Sequence, residues 1–163
     1  MDVQLNTGNL TLATATDELM RFADQLADDF RSQVVAVIEQ FVESEPTPQK
    51  TLDLENTLHD RFRELGRRTM AWAVNQLEPE IEQMPGTISH KGKSYRRLSE
   101  KTQRSNILTR FGKISLERAR YRRGRAGRTI FPLEMLLGIE KGFTPSAADR
   151  VGKQFAACGS SQG

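Results

Sequence analysis

The sequence predicts an α+β fold, mainly helical: a long antiparallel helical hairpin, then a basic β-hairpin, then short C-terminal helices. Three observations carry this. From Asp17 to Leu77 apolar residues recur at steps of three and four, the spacing of one helix face. Beyond Thr102 the pattern changes to β-branched and aromatic residues around Gly112-Lys113. Charge is also segregated. Residues 1–90 hold 7 Lys+Arg against 16 Asp+Glu, residues 91–128 hold 14 against 2, and residues 129–163 hold 3 of each.

Residues 1–15 are small and polar without periodicity and are expected to form a flexible tail. The stripe Leu19, Phe22, Leu26, Phe30, Val34, Val37 and Phe41 then predicts an amphipathic helix, with Thr16 as its N-cap. Pro46 and Pro48 break it, because proline lacks the amide hydrogen and clashes with the preceding turn. A second stripe, Leu54, Leu58, Phe62, Leu65, Thr69 and Trp72, predicts another long helix ending near Pro79. Residues 16–83 thus read as an acidic helical hairpin. Its apolar seam closes within the chain or against a second copy.

Residues 84–131 are expected to form a basic loop and β-hairpin. "MPGTISHKGKSYRR" (84–97) carries Pro-Gly and Gly-Lys and reads as loop. With Gly112-Lys113 as a two-residue turn, Phe111 faces Ile114, Thr109 faces Leu116, Ile107 faces Arg118 and Ser105 faces Arg120. One face is then apolar near the turn and carries Arg118, Arg120 and Arg122 away from it. Residues 132–163 read as short helices. Pro132 opens one that Gly138 stops; Thr144 caps another with Pro145 at its first position and Ala148, Val151, Phe155 and Cys158 in one stripe.

No run approaches the ~20 apolar residues of a membrane span. The N-terminus lacks a signal-peptide layout, so a cytoplasmic location and no membrane partner are expected. The single cysteine, Cys158, forms no internal disulfide and no cysteine-based zinc cluster. The histidines, His59 and His90, stand apart from any Ser or Cys in a nucleophile pattern. Acidic groups such as Asp28-Asp29 and Glu78/Glu80/Glu82 fit helix surfaces and turns. No active site and no cofactor or metal site is legible. The basic segment remains, ten of its fourteen cations being arginine, with Tyr95 and Tyr121 among them. Arginine forks suit phosphate and stack on bases. The residues alone leave open a nucleic acid, an acidic protein, or the chain's own acidic helices as partner.

The order "ELGRR" (64–68), "TRFGKISLERARYR" (109–122), a small-residue knuckle, "FPLEMLLG" (131–138) and "TPSAADRVGKQFA" (144–156) resembles the N-terminal region of bacterial DDE-type insertion-sequence transposases, specifically the ISKra group. The "T-x-FG-x-I" turn and "PLExxLG" are its specific parts, and it covers roughly residues 60–163. The resemblance implies a region that binds transposon-end DNA and assembles the complex, lacking the catalytic domain. On this reading DNA is held by Lys91, Lys93, Arg96, Arg97, Arg110, Lys113, Arg118, Arg120, Arg122, Arg123, Arg125 and Arg128. The helical hairpin supplies a homodimer contact, and divalent metal belongs only to the missing catalytic domain. Alternatively the chain is an interaction module docking an acidic partner, or a remnant without function. Where the family carries zinc-binding cysteines at the hairpin base, this chain has Arg123 and Ala126, beside Gly127, so no zinc is expected.

Overall fold

The computed structural model describes the backbone of residues 12–159 and the side chains of residues 16–156. The fold is α+β and mainly helical, with two long helices, short antiparallel strands and a closing helix. Compact packing divides the chain between Arg68 and Thr69.

The first unit is a helical pair. Helix α1, Leu12–Val42, starts before the expected Thr16 cap, so residues 12–15 are helical rather than tail. The remainder of the expected tail lies outside the described residues. Pro46 and Pro48 break the helix as their missing amide hydrogens require. The Thr47 hydroxyl accepts the Lys50 amide at 3.2 Å and caps α2, Pro48–Asn75, with Pro48 in its first turn. The two helices meet through Phe30 and Phe62, ring centroids 5.2 Å apart, and through an Arg68–Asp29 ion pair at 3.0 Å. Only Leu26 is buried among the described side chains of this unit. Leu19 and Phe62, both in the expected stripes, are exposed. One helix shields only a narrow strip of another, so the flanks of each apolar stripe stay in water.

The second unit begins with the last turns of α2, which stop at Asn75 rather than near Pro79. Asn75 explains the stop. Its Nδ2 donates to the Ala71 and Ser115 carbonyls at 2.7 and 3.0 Å, and its Oδ1 accepts the Glu117 amide at 2.8 Å. The side chain therefore occupies groups at the helix end and ties it to a strand.

Strands follow: β1 (Thr87–His90), β2 (Lys93–Arg97), β3 (Thr102–Thr109), β4 (Gly112–Arg118), β5 (Tyr121–Arg122) and β6 (Thr129–Ile130). They form an antiparallel sheet of order β1-β2-β5-β6 and a separate β3–β4 hairpin. Most of the stretch 84–97, expected as loop, is thus the β1–β2 hairpin, over residues 87–97. Lys91 and Gly92 turn it with φ of 50° and 68°, the doubly left-handed conformation that matches strand twist and that glycine enters without strain.

The β3–β4 register also corrects the expectation. Thr109 pairs with Gly112 and Ile107 with Ile114, so Arg110-Phe111 forms the turn, two residues earlier than Gly112-Lys113. The Thr109 hydroxyl fixes it there, donating to the Gly112 carbonyl at 2.8 Å and accepting the Phe111 amide at 3.1 Å. Near the turn the displacement is even, so Ile107, Thr109, Ile114 and Leu116 still share a buried face. Farther out a bulge between Arg104 and Ile107, with Asn106 at φ 66°, resets the pairing to Thr102 with Arg118.

Two apolar clusters result. Val74, Ile107, Ile114, Leu116, Leu133 and Ile139 form one beneath the hairpin. Met84, Tyr95, Ala119, Tyr121 and Ile130 form the other beneath the four-stranded sheet. Helix α3, Pro132–Leu136, opens at Pro132, and Gly138 follows it at φ 64°. Helix α4, Pro145–Gly159, begins after Thr144. Its expected stripe is not core: Ala148 and Phe155 are exposed, while Ala147 is buried. Val151 of the stripe is partly buried, but Phe155 farther along stands in solvent. The Cys158 side chain lies outside the described residues.

Candidate nucleic-acid interface

Strand alternation divides the residues of the β1-β2-β5-β6 sheet. Ile88, Tyr95, Tyr121 and Ile130 point into the core, because each is cross-strand neighbour to another of the set. The opposite face receives Arg96, Arg122 and Thr129 side by side, since Arg96 pairs with Arg122 and Arg122 with Thr129. Arg122 Nε donates to Thr129 Oγ1 at 3.4 Å. Neither arginine meets a carboxylate among the described residues. Like charges directly opposite on one face repel, so this pair concentrates positive charge on an exposed patch of the sheet.

The β5–β6 connection presents three more arginines. The Arg123 amide donates to the Arg128 carbonyl at 3.2 Å, drawing the loop closed. Gly127 sits so close to that strand that a Cβ would overlap the Arg123 carbonyl oxygen. Arg123, Arg125 and Arg128 are consequently held outward and exposed. Two hollows flank the loop. Arg96, Arg97, Arg122 and Arg125 line an open one of about 690 Å³. Lys91, Lys93, Arg123 and Arg128 line a second of about 270 Å³, with His90 and Tyr95. A cationic concavity of this kind concentrates polyanions.

The remaining candidates fall elsewhere. Arg118 is a correction: it is buried, 8% exposed, not on the surface. It shares the inward face with Ile114 and Leu116, lies 3.7 Å from the Phe131 ring centroid, and forms an ion pair with Glu134. Glu134 also accepts from Arg104 at 2.8 Å. Burial pushes the Arg118 guanidinium down to about 10, nearby Arg104 acting the same way and Glu78 opposing. Arg97 is half-buried and donates to the Ile81 and Met84 carbonyls, fastening the 3₁₀ turn Ile81–Gln83. Arg120 is half-buried where the chain passes from β4 to β5, and its carbonyl accepts the Leu98 amide at 2.9 Å. The expected common face of Arg118, Arg120 and Arg122 therefore does not form, because the chain changes sheets between them. Arg110 and Lys113 are exposed at the tip of the β3–β4 hairpin and line neither hollow.

The sequence reading missed Thr129 as a neighbour of Arg122 and the role of β2 in presenting Arg96. The signal for β2 was present in Lys91-Gly92 between Ile88 and Tyr95. In the same way, Glu78 accepts the Ala119 amide from within the second unit. Burial raises its carboxyl above the usual 4.5, with the Ala119 bond and Lys101 pulling the other way.

Among the described residues no three His, Cys, Asp or Glu side chains gather to hold a metal. No described helix is long and apolar enough to cross a membrane. The chain finds no match among family models, curated proteins or solved structures.

Proposed function

We propose that this chain is the DNA-binding and assembly region of an insertion-sequence transposase, acting in the bacterial cytoplasm on transposon-end DNA. The observation that carries the reading is the cross-strand Arg96–Arg122 pair, which no carboxylate neutralises among the described residues. The phosphodiester backbone supplies anions in a row, and the pair is flanked by Arg125 and, across the loop, by Arg123 and Arg128. Backbone contacts of this type position DNA without reading bases, and their affinity falls with salt as counterions are released. Arg118 has no part in it, and strand transfer is not assigned to these residues.

The test is the double variant Arg96→Ala/Arg122→Ala in fluorescence anisotropy with duplex DNA across a salt series. Loss of two phosphate contacts is expected to flatten the log–log salt slope by about 1.8. An unchanged slope would falsify the assignment. Poly-glutamate run as competitor is expected to displace DNA poorly; displacement at equal charge concentration would favour an acidic protein partner instead.

Assembly is assigned to the helical pair. Val35, Ile38 and Val42 form an exposed apolar row on α1, and the unit buries only Leu26 among its described side chains. A second copy covering that row would complete a four-helix bundle. Sedimentation should show a dimer that Ile38→Asp converts to monomer; a monomeric parent chain removes this part.

A further inference from the structure

An apolar cleft of about 200 Å³ opens beside the smaller basic hollow. Ile88 and Ile130, from the two edge strands, form its walls with Met135 and Leu136 of α3. His90 and Ile130 line both the cleft and the hollow, so the two are direct neighbours. His90 stands edge-on to Tyr95, ring centroids 6.2 Å apart, at the junction. Leu136 is 56% exposed, which leaves the cleft open to solvent.

We propose that the cleft and the hollow together seat one unpaired nucleotide at the end of a DNA strand. Its base enters the cleft, and its phosphate lies on Lys91, Lys93 and Arg128. This rests on the DNA-binding reading above. Three features favour it. The cleft is smaller than the roughly 300–1,000 Å³ pockets that enclose drug-sized ligands, and suits a single planar ring system. Its walls are the aliphatic and thioether groups that pack against a base face, and thioether sulfur favours aromatic contact. Histidine at the rim can stack on a base or bond its edge. An acyl chain or apolar peptide would fit the walls equally well but leaves the adjoining cations unanswered. A base in duplex is excluded, because entry requires it to leave its stack; a strand end with an unpaired base meets no such cost.

The experiment uses the full chain and two DNAs, a blunt duplex and the same duplex carrying one unpaired 2-aminopurine nucleotide. The overhang form is expected to bind about tenfold more tightly, with the 2-aminopurine fluorescence quenched on binding. Leu136→Trp, at an exposed position, should fill the cleft and abolish both effects without changing blunt-duplex affinity. Equal affinities with unquenched 2-aminopurine, while blunt duplex still binds, overturn the nucleotide seat and leave the DNA-binding reading standing. Failure of both DNAs to bind overturns both. Displacement of the overhang DNA by deoxyadenosine monophosphate at the DNA's own concentration overturns the strand-end assignment in favour of a free nucleotide.

Discussion

Replacing Glu134 by alanine is expected to be the most damaging single change to the second unit. The Arg118 and Glu134 side chains are 9% and 10% exposed, so the alanine variant leaves a guanidinium buried without its counter-charge. Removing one partner of a buried pair costs about 3–5 kcal/mol, most of it the penalty of the stranded charge. The Phe131 ring beneath Arg118 remains but accepts no hydrogen bonds. Arg104 is 32% exposed and shares a carboxylate that Arg118 still occupies, so Arg104→Ala should cost only about 1 kcal/mol. Replacing both members, Arg118→Leu with Glu134→Leu, should recover most of the loss, because two apolar side chains strand no charge. Urea unfolding followed by circular dichroism gives the comparison, provided the slope with denaturant stays constant. For a unit of this size about 1 kcal/mol corresponds to roughly 4–8 °C in melting temperature. The reasoning is refuted if Glu134→Ala unfolds no more easily than Arg104→Ala, or if the double leucine variant is as unstable as the single alanine one.

Two further outcomes follow from the same geometry. Burial raises the Glu78 carboxyl, so its protonated form suits the folded state. The stability it contributes is present below its ordinary 4.5 and is lost as pH rises through the elevated value. Glu78→Gln keeps an acceptor for the Ala119 amide but does not titrate, so its stability relative to the parent should rise across that window; a gap independent of pH contradicts the assignment. Gly127→Ala must displace the Arg123 carbonyl or open the β5–β6 loop, and is expected to weaken duplex binding with little change in overall helicity. Unaltered binding by that variant would mean the loop does not present the arginines.

Much of the helical architecture was legible because its signals are local. Pro46 to Pro48, Phe131-Pro132, Gly138 and Thr144-Pro145 each act within a turn of where they stand. The hairpin faces were legible as well, since an error of even size in register preserves which residues share a side. The register itself was not. Gly112 is the stronger turn signal in the sequence, yet the Thr109 hydroxyl bonds both sides of Arg110-Phe111 and wins. The four-stranded sheet escaped because β5 and β6 are two residues each and carry no periodicity. Arg118 was misplaced for a related reason. Its charge was visible, but its destination depends on Glu134, which only the packing of α3 brings to it.

The strand order carries a consequence for how the protein forms. The β1–β2 and β3–β4 hairpins each join neighbours in sequence and can close early, whereas β2 meets β5 only after residues 98–120 have been looped out. Non-local closures of this sort are slow. Here the closure also brings Arg96 against Arg122, so its final step runs uphill electrostatically. Salt screens that repulsion, so closure of β2 on β5 should quicken as ionic strength rises.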